Sequence, residues 1–207
     1  MSLFLIILTF ATCKYPLRVN GDPSDIVCQK TPKEFQQYCH KCFFNYPGSK
    51  YADLQTQVNA LINCALTEAK RVQEIRYNFC DLHKNDTVTV PCVGCNGCYR
   101  VIIHSLVSAL QDMDKRLFKE SETKVSDAIK NHQKCITLLN LSKYPIPYTL
   151  GGALDTFRGF AEVAIDFITS LKTHQQWKKT QKKEWNDVNL CIFLYIIKLH
   201  CSVHYIV

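Results

Sequence analysis

Apolar residues recur every three or four positions in four stretches of the chain. The clearest is Leu150, Leu154, Phe157, Ala161, Ala164, Ile168 and Leu171, where steps of four and three alternate without a break. A mean step near 3.5 is the period of helices packed side by side at shallow angles. A second stripe is Leu54, Val58, Leu61, Ala65, Val72, Ile75 and Phe79, with Glu68 in its one polar gap. A third is Ile102, Leu106, Ala109, Met113 and Leu117, and a fourth is Val125, Ala128, His132, Cys135 and Leu139. These stripes predict long helices from Tyr51 to Cys80, from about Cys98 to Lys119, from Ser121 through Leu139, and from Thr149 or Leu150 onward. Short connections between long helices force antiparallel neighbours. The predicted fold class is therefore all-α, an up-down-up-down four-helix bundle.

The limits follow from local chemistry. Asp53 suits the positive end of the first long helix. That helix is expected to stop before the polar run at 83–86 and Pro91. Residues 91–98, with Gly94 and Gly97, read as a cysteine-rich corner. Ser121 offers an N-cap, though Lys124 three residues on completes no capping box. Tyr144-Pro145-Ile146-Pro147 cannot be helical throughout, because each proline disfavours the helical conformation of the residue before it. Gly151 and Gly152 weaken the first turn of the last helix. Residues 25–50, broken by Pro32, Pro47 and Gly48, read as short helices or turns tied by cysteine.

The ends differ from the middle. Leu3 to Phe10 is an apolar run of signal-peptide length, too short to span a bilayer, with small residues near 19–21 for cleavage. No Lys or Arg precedes it. The expected division is a signal peptide at 1–21, a bundle domain at 22–174, and a divergent extension at 175–207. The extension joins a basic run at 178–183 to an apolar run at 190–207. Lys198 and His200 inside that run argue against a membrane anchor.

The chain's 207 residues carry 25 Lys and Arg against 18 Asp and Glu. Within 25–174 the balance is 18 against 15, so the domain itself is only mildly basic. No dense basic stripe with interleaved aromatics appears there, which argues against a nucleic-acid partner. Arg71, Arg76, Lys130 and Lys134 read as solvated helix faces.

Twelve cysteines raise the question of compartment. The leader and the sequons at Asn85 and Asn140 favour an oxidising route, where thiols pair. Cys39-x2-Cys42 with Cys92-x2-Cys95 has zinc-like pair spacing, so a metal-binding or redox bundle stands as an alternative reading. Cys92-x2-Cys95-x2-Cys98 resembles half of an iron–sulfur run, but Ile102 belongs to the helix stripe. His132 lies on an apolar face and reads as a core histidine. No catalytic constellation stands out, so no enzyme activity, cofactor or metal is assigned. Nine cysteines fall between residues 25 and 174, an odd number, and the connectivity is not readable from spacing.

Cys95-x3-Tyr99-x6-Leu106, followed by Val125-Ser126-x-Ala128 and Cys135, resembles the plant invertase and pectin methylesterase inhibitor family. Cys28-Gln29-Lys30-Thr31-Pro32 with Cys39 downstream is similar to that family's N-terminal cysteine loop. The similarity runs from about Asp25 to Leu171. It implies a four-helix bundle with an N-terminal helical hairpin and disulfides Cys28–Cys39 and Cys95–Cys135. It also implies a secreted protein that covers the active site of a cell-wall enzyme, in a 1:1 complex with invertase or pectin methylesterase. In the invertase-directed branch a Pro-Lys-Phe turn stands where this chain has Arg116-Leu117-Phe118, and only Phe118 matches. Lys115, Arg116, Leu117 and Phe118 are the target-binding residues expected on that basis. A secreted bundle without inhibitory activity is the other reading.

Overall fold

A computed structural model describes residues 28–82, 86–141 and 145–203. The proposed signal peptide at 1–21 and the sequon residue Asn85 lie outside the described residues. Five helices follow in order: α1 Lys33–Asn45, α2 Leu54–Leu82, α3 Asp86–Asp114, α4 Phe118–Asn140 and α5 Tyr148–Val203, with a short 3-10 turn at Ser49–Tyr51 between α1 and α2. No strand occurs among the described residues. α2 packs on α3 and α5, and α4 packs on the same two, which closes a four-helix bundle of alternating direction. α1 lies outside the square, against α5 and α2.

Every member of the four predicted stripes between Val58 and Leu171 is buried, apart from Ile75 at the edge and Leu117. Burying each such aliphatic or phenyl side chain contributes roughly 1.5–3 kcal/mol. Tyr38 of α1 reaches the backbone of α5 at Gly159, where an added Cβ would meet the ring at 2.2 Å. Its ring also meets Phe160 edge-on, with centroids 6.1 Å apart. Glycine at 159 is what lets α1 settle onto α5.

Four disulfides join Cys28–Cys39, Cys42–Cys64, Cys80–Cys92 and Cys95–Cys135, with Cα separations of 4.3 to 5.9 Å. Among the described cysteines, Cys98 is the one outside a disulfide. The first bond closes the loop before α1. The others join α1 to α2, α2 to α3, and α3 to α4.

Three boundaries differ from the sequence reading. The cysteine-rich corner is helix: α3 starts at Asp86, and Pro91 lies inside it. An interior proline costs about 3 kcal/mol through a lost ladder bond and a clash with the preceding turn. Here it is the sixth residue of α3, in the second turn, and disulfides at Cys92 and Cys95 anchor the segment to α2 and α4. Each bond supplies about 3 kcal/mol or more, enough to override the local preference. Ser121 is not the N-cap of α4, which begins at Phe118, with Leu117 in the cap position and no side-chain cap. At the start of α2, by contrast, Asp53 Oδ1 accepts the Thr56 N–H at 2.8 Å. That bond holds the Asp53 carboxyl below its ordinary range.

The third difference is α5. It runs without a break from Tyr148 to Val203, through the residues read as a separate extension. Its 56 residues span about 84 Å at 1.5 Å each. Among the residues of α5 whose burial is described, Leu171 is the last buried one. Among the described residues no helix is long and apolar enough to cross a membrane.

Arg76 is likewise not a solvated residue. It is 4% exposed and donates to the Cys92 carbonyl at 3.3 Å and to Asn96 Oδ1 at 3.1 Å. Burial first, and then the Arg100 charge, push its pKa down. It rivets α2 to α3 beside the Cys80–Cys92 bond. Arg71, half exposed, pairs with the buried Glu68 at 2.6 Å, which explains how a carboxylate fills the polar gap of the stripe.

Candidate functional site

The turn between α3 and α4 carries the four residues expected to meet a target. Met113, the last stripe residue of α3, is buried, and the chain must then reverse within three residues. It does so through paired hydrogen bonds. The Arg116 N–H donates to the Met113 carbonyl at 2.9 Å, and the Leu117 N–H donates to the Asp112 carbonyl at 2.8 Å. This is a Schellman termination, with Arg116 in the left-handed position at φ 60°. Gln55 at the start of α2 donates to the Met113 carbonyl at 3.0 Å and ties the turn to a neighbouring helix. The turn is thus rigid, and its backbone points Lys115 and Arg116 outward.

Glycine is the residue that occupies this φ at no steric cost, whereas a non-glycine residue loses about 1 kcal/mol there. Arg116→Gly should therefore raise stability by about 0.5–1 kcal/mol, read as a higher midpoint in thermal or urea unfolding. An unchanged or lower midpoint would show that the Arg116 side chain itself stabilises the turn.

The structure separates the four expected residues. Lys115 and Arg116 are exposed, and Leu117 is 42% exposed. Phe118 is 4% exposed and joins the core as the first residue of α4, so it cannot present its ring to another protein. The exposed part of the turn continues into Lys119. A groove of about 270 Å³ runs from Arg116 past Lys119 and Glu120 to Lys172 and Gln176 of α5.

Beside it, through Lys172, is an α4–α5 link the sequence did not reveal. Glu122 accepts from Thr169 Oγ1 at 2.9 Å and from the Lys172 ammonium. Burial alone would raise the Glu122 pKa, but these hydrogen bonds and the Lys172 charge outweigh it and hold it below the ordinary value. The partners stand about fifty positions apart, and no sequence spacing connects them. With Lys172 already committed, Lys115, Arg116 and Lys119 are the turn's outward cations. A guanidinium in this position can take a carboxylate in bidentate fashion.

A second polar feature lies inside the bundle. Tyr99 Oη and His132 Nδ1 are 2.9 Å apart, both side chains fully buried, with the Phe157 ring 4.9 Å from the imidazole. Burial drives the Tyr99 pKa up, so its hydroxyl stays protonated, and it shares one hydrogen bond with Nδ1 whose direction follows the imidazole tautomer. Burial first, then the Arg158 charge, push His132 down to about 4. A neutral, sealed imidazole hydrogen-bonded to Tyr99 is a structural group, as its place in the stripe implied.

The cysteine set considered for metal or redox chemistry is dispersed. Cys39, Cys42, Cys92 and Cys95 sit in four different disulfides, and neither Cys-x2-Cys pair is joined to itself. Their sulfurs are used in cross-links and cannot act as thiolate ligands. Among the described residues no group of three or more His, Cys, Asp or Glu could hold a metal ion.

No family model matches the chain, and no curated protein matches it. Solved structures do. One is a mutant form of a pectin methylesterase inhibitor from Arabidopsis, with TM-score 0.61 and 16% identity over 72% of this chain and 97% of that one. Another is a pectin methylesterase inhibitor from Arabidopsis thaliana, with TM-score 0.54 and 15% identity over 72% of this chain and 96% of that one. Nearly the whole of each inhibitor is matched at an identity that speaks for architecture alone, so this chain has the fold of the pectin methylesterase inhibitor structures.

Proposed function

We propose that this protein is a secreted inhibitor of a plant cell-wall carbohydrate-active enzyme, pectin methylesterase or invertase, and that it acts by occlusion in a 1:1 complex. The observation that carries the proposal is the match to solved pectin methylesterase inhibitors over nearly their full length. Four disulfides suit an oxidising extracellular setting, and they brace the bundle as a rigid plug. A preformed surface loses little conformational freedom on docking, which favours tight binding. Of the two targets, pectin methylesterase is the first choice. The turn that would serve the invertase mode keeps only its phenylalanine, and that ring is buried.

The test is direct. Purified, oxidised protein is mixed with cell-wall invertase and with pectin methylesterase from about pH 4 to 7, the range in which carboxylates and histidines of a partner titrate. Stoichiometric inhibition of one enzyme, varying with pH, is expected. Inhibition of neither at any pH sinks the proposal and leaves a bundle of inhibitor architecture without that activity.

The exposed cations of the α3–α4 turn would act in encounter. Changing Lys115→Glu together with Lys119→Glu should slow association with the inhibited enzyme by about tenfold at low salt and leave dissociation nearly unchanged. Surface plasmon resonance at two salt concentrations separates the two rates. An unchanged association rate would place the docking surface elsewhere on the bundle.

A further inference from the structure

Asn140 is the last residue of α4, and it is exposed. It opens Asn140-Leu141-Ser142, the acceptor pattern for N-linked sugar. What gives the triplet meaning is its place in the bundle. The Cys95–Cys135 bond and the closeness of Gly94 to Leu138, where an added Cβ would lie 2.8 Å from a Leu138 methyl, set the end of α4 beside the start of α3. The Cys80–Cys92 bond brings the end of α2 to the same place.

Several large apolar side chains are exposed at this end. Leu82 is 80% exposed, Val90 72%, Leu141 71%, and Tyr148, which opens α5, 94%. Large apolar groups are exposed elsewhere too, among them Tyr51 at 67% and Trp177 at 59%. Clustered exposed apolar groups on a soluble protein mark something that covers them or a liability to associate. A glycan on Asn140 would stand among these side chains, bulky and solubilising.

We propose that Asn140 carries an N-linked oligosaccharide and that this sugar screens the apolar end of the bundle. In the transfer, Asn140 Nδ2 bonds to the anomeric carbon of a lipid-pyrophosphate-linked oligosaccharide. The bond from that carbon to the pyrophosphate oxygen breaks, the lipid pyrophosphate leaves, and the amide proton passes to a base. The 23 residues of α4 put the sugar about 33 Å from the α3–α4 turn. Glycan and docking turn therefore occupy opposite ends and do not compete.

The test uses the full chain expressed in a eukaryotic secretory host, in an Asn85→Gln background so that a single acceptor remains. Peptide N-glycosidase should remove one core glycan's mass from the secreted protein. Ser142→Ala, which keeps Asn140, should abolish that step, and Ser142→Thr should keep it. Enzymatic removal from the folded protein should raise the uptake of an apolar dye and promote self-association on concentration. Secreted protein with unmodified Asn140 overturns the proposal. Dye uptake and association unchanged by deglycosylation overturn the screening role.

Discussion

Replacing both Cys95 and Cys135 by alanine is expected to cost about 4 kcal/mol of stability. The two residues are 40 positions apart, and closing a loop of that length removes about that much conformational freedom from the unfolded chain. Both sulfurs are fully buried between α3 and α4, so their loss also leaves a small void. Against a urea slope near 2 kcal/mol per molar, the midpoint should fall by about 2 M. A fall under about 0.5 M would mean that the bond locks little that packing does not already hold. The double alanine variant at Cys28 and Cys39 is the natural contrast. Its loop spans 11 positions, and it anchors only the segment before α1. Roughly 3 kcal/mol is the chain-entropy value for so short a loop, and its loss should loosen α1 while the bundle unfolds near its original midpoint.

The second large effect is acid sensitivity carried by His132. The unfolded chain binds a proton on this ring near the ordinary value of 6.5, and the folded chain only near 4. Between these values the unfolded state holds more protons, so acid favours unfolding. The contribution of the neutral ring is complete above pH 6.5, shrinks as pH falls, and is gone below about 4. Its size is roughly 3 kcal/mol across that window.

His132→Asn keeps an acceptor for the Tyr99 hydroxyl and cannot be protonated. It should be less stable at neutral pH, through lost packing on Phe157, yet show a flatter stability profile between pH 6.5 and 4. Other groups share the acid window. Burial raises the Glu162 and Asp166 pKa values and favours folding in acid, whereas Glu122, held low, acts in the same sense as His132. All three titrate in both proteins and cancel in the difference. Parallel profiles for wild type and variant would refute the role given to this ring.

The bundle was legible because its evidence is repetitive. Each stripe must bury one face, and burial leaves a periodic trace that a single chain displays. The same logic explains what was not legible. Past Leu171 the apolar stripe gives way to a run rich in Gln, Lys and Glu, which sustain a helical backbone by intrinsic preference. The segment at 91–98 looked like a corner because Pro and Gly speak for local conformation, and the cross-links that overrule them act across helices. Arg76 could have been read correctly. It stands four residues after Val72 and three before Phe79, on the apolar stripe itself. Of the four turn residues, Phe118 went into the core because α4 begins there, two turns before its first predicted stripe residue. The groove beside the turn had no sequence signature, since it is made where α5 passes α4.

The cross-links also have an order along the chain. Successive bonds suture α1 to α2, α2 to α3, and α3 to α4, and no sulfur of these four bonds lies on α5. Among the described residues, α5 is the one helix that none of the four bonds joins to another. When it lifts, Phe157 goes with it and the imidazole beneath meets water. Protonation of the ring is therefore expected to favour states in which α5 has lifted, while the cross-links keep α1 to α4 joined.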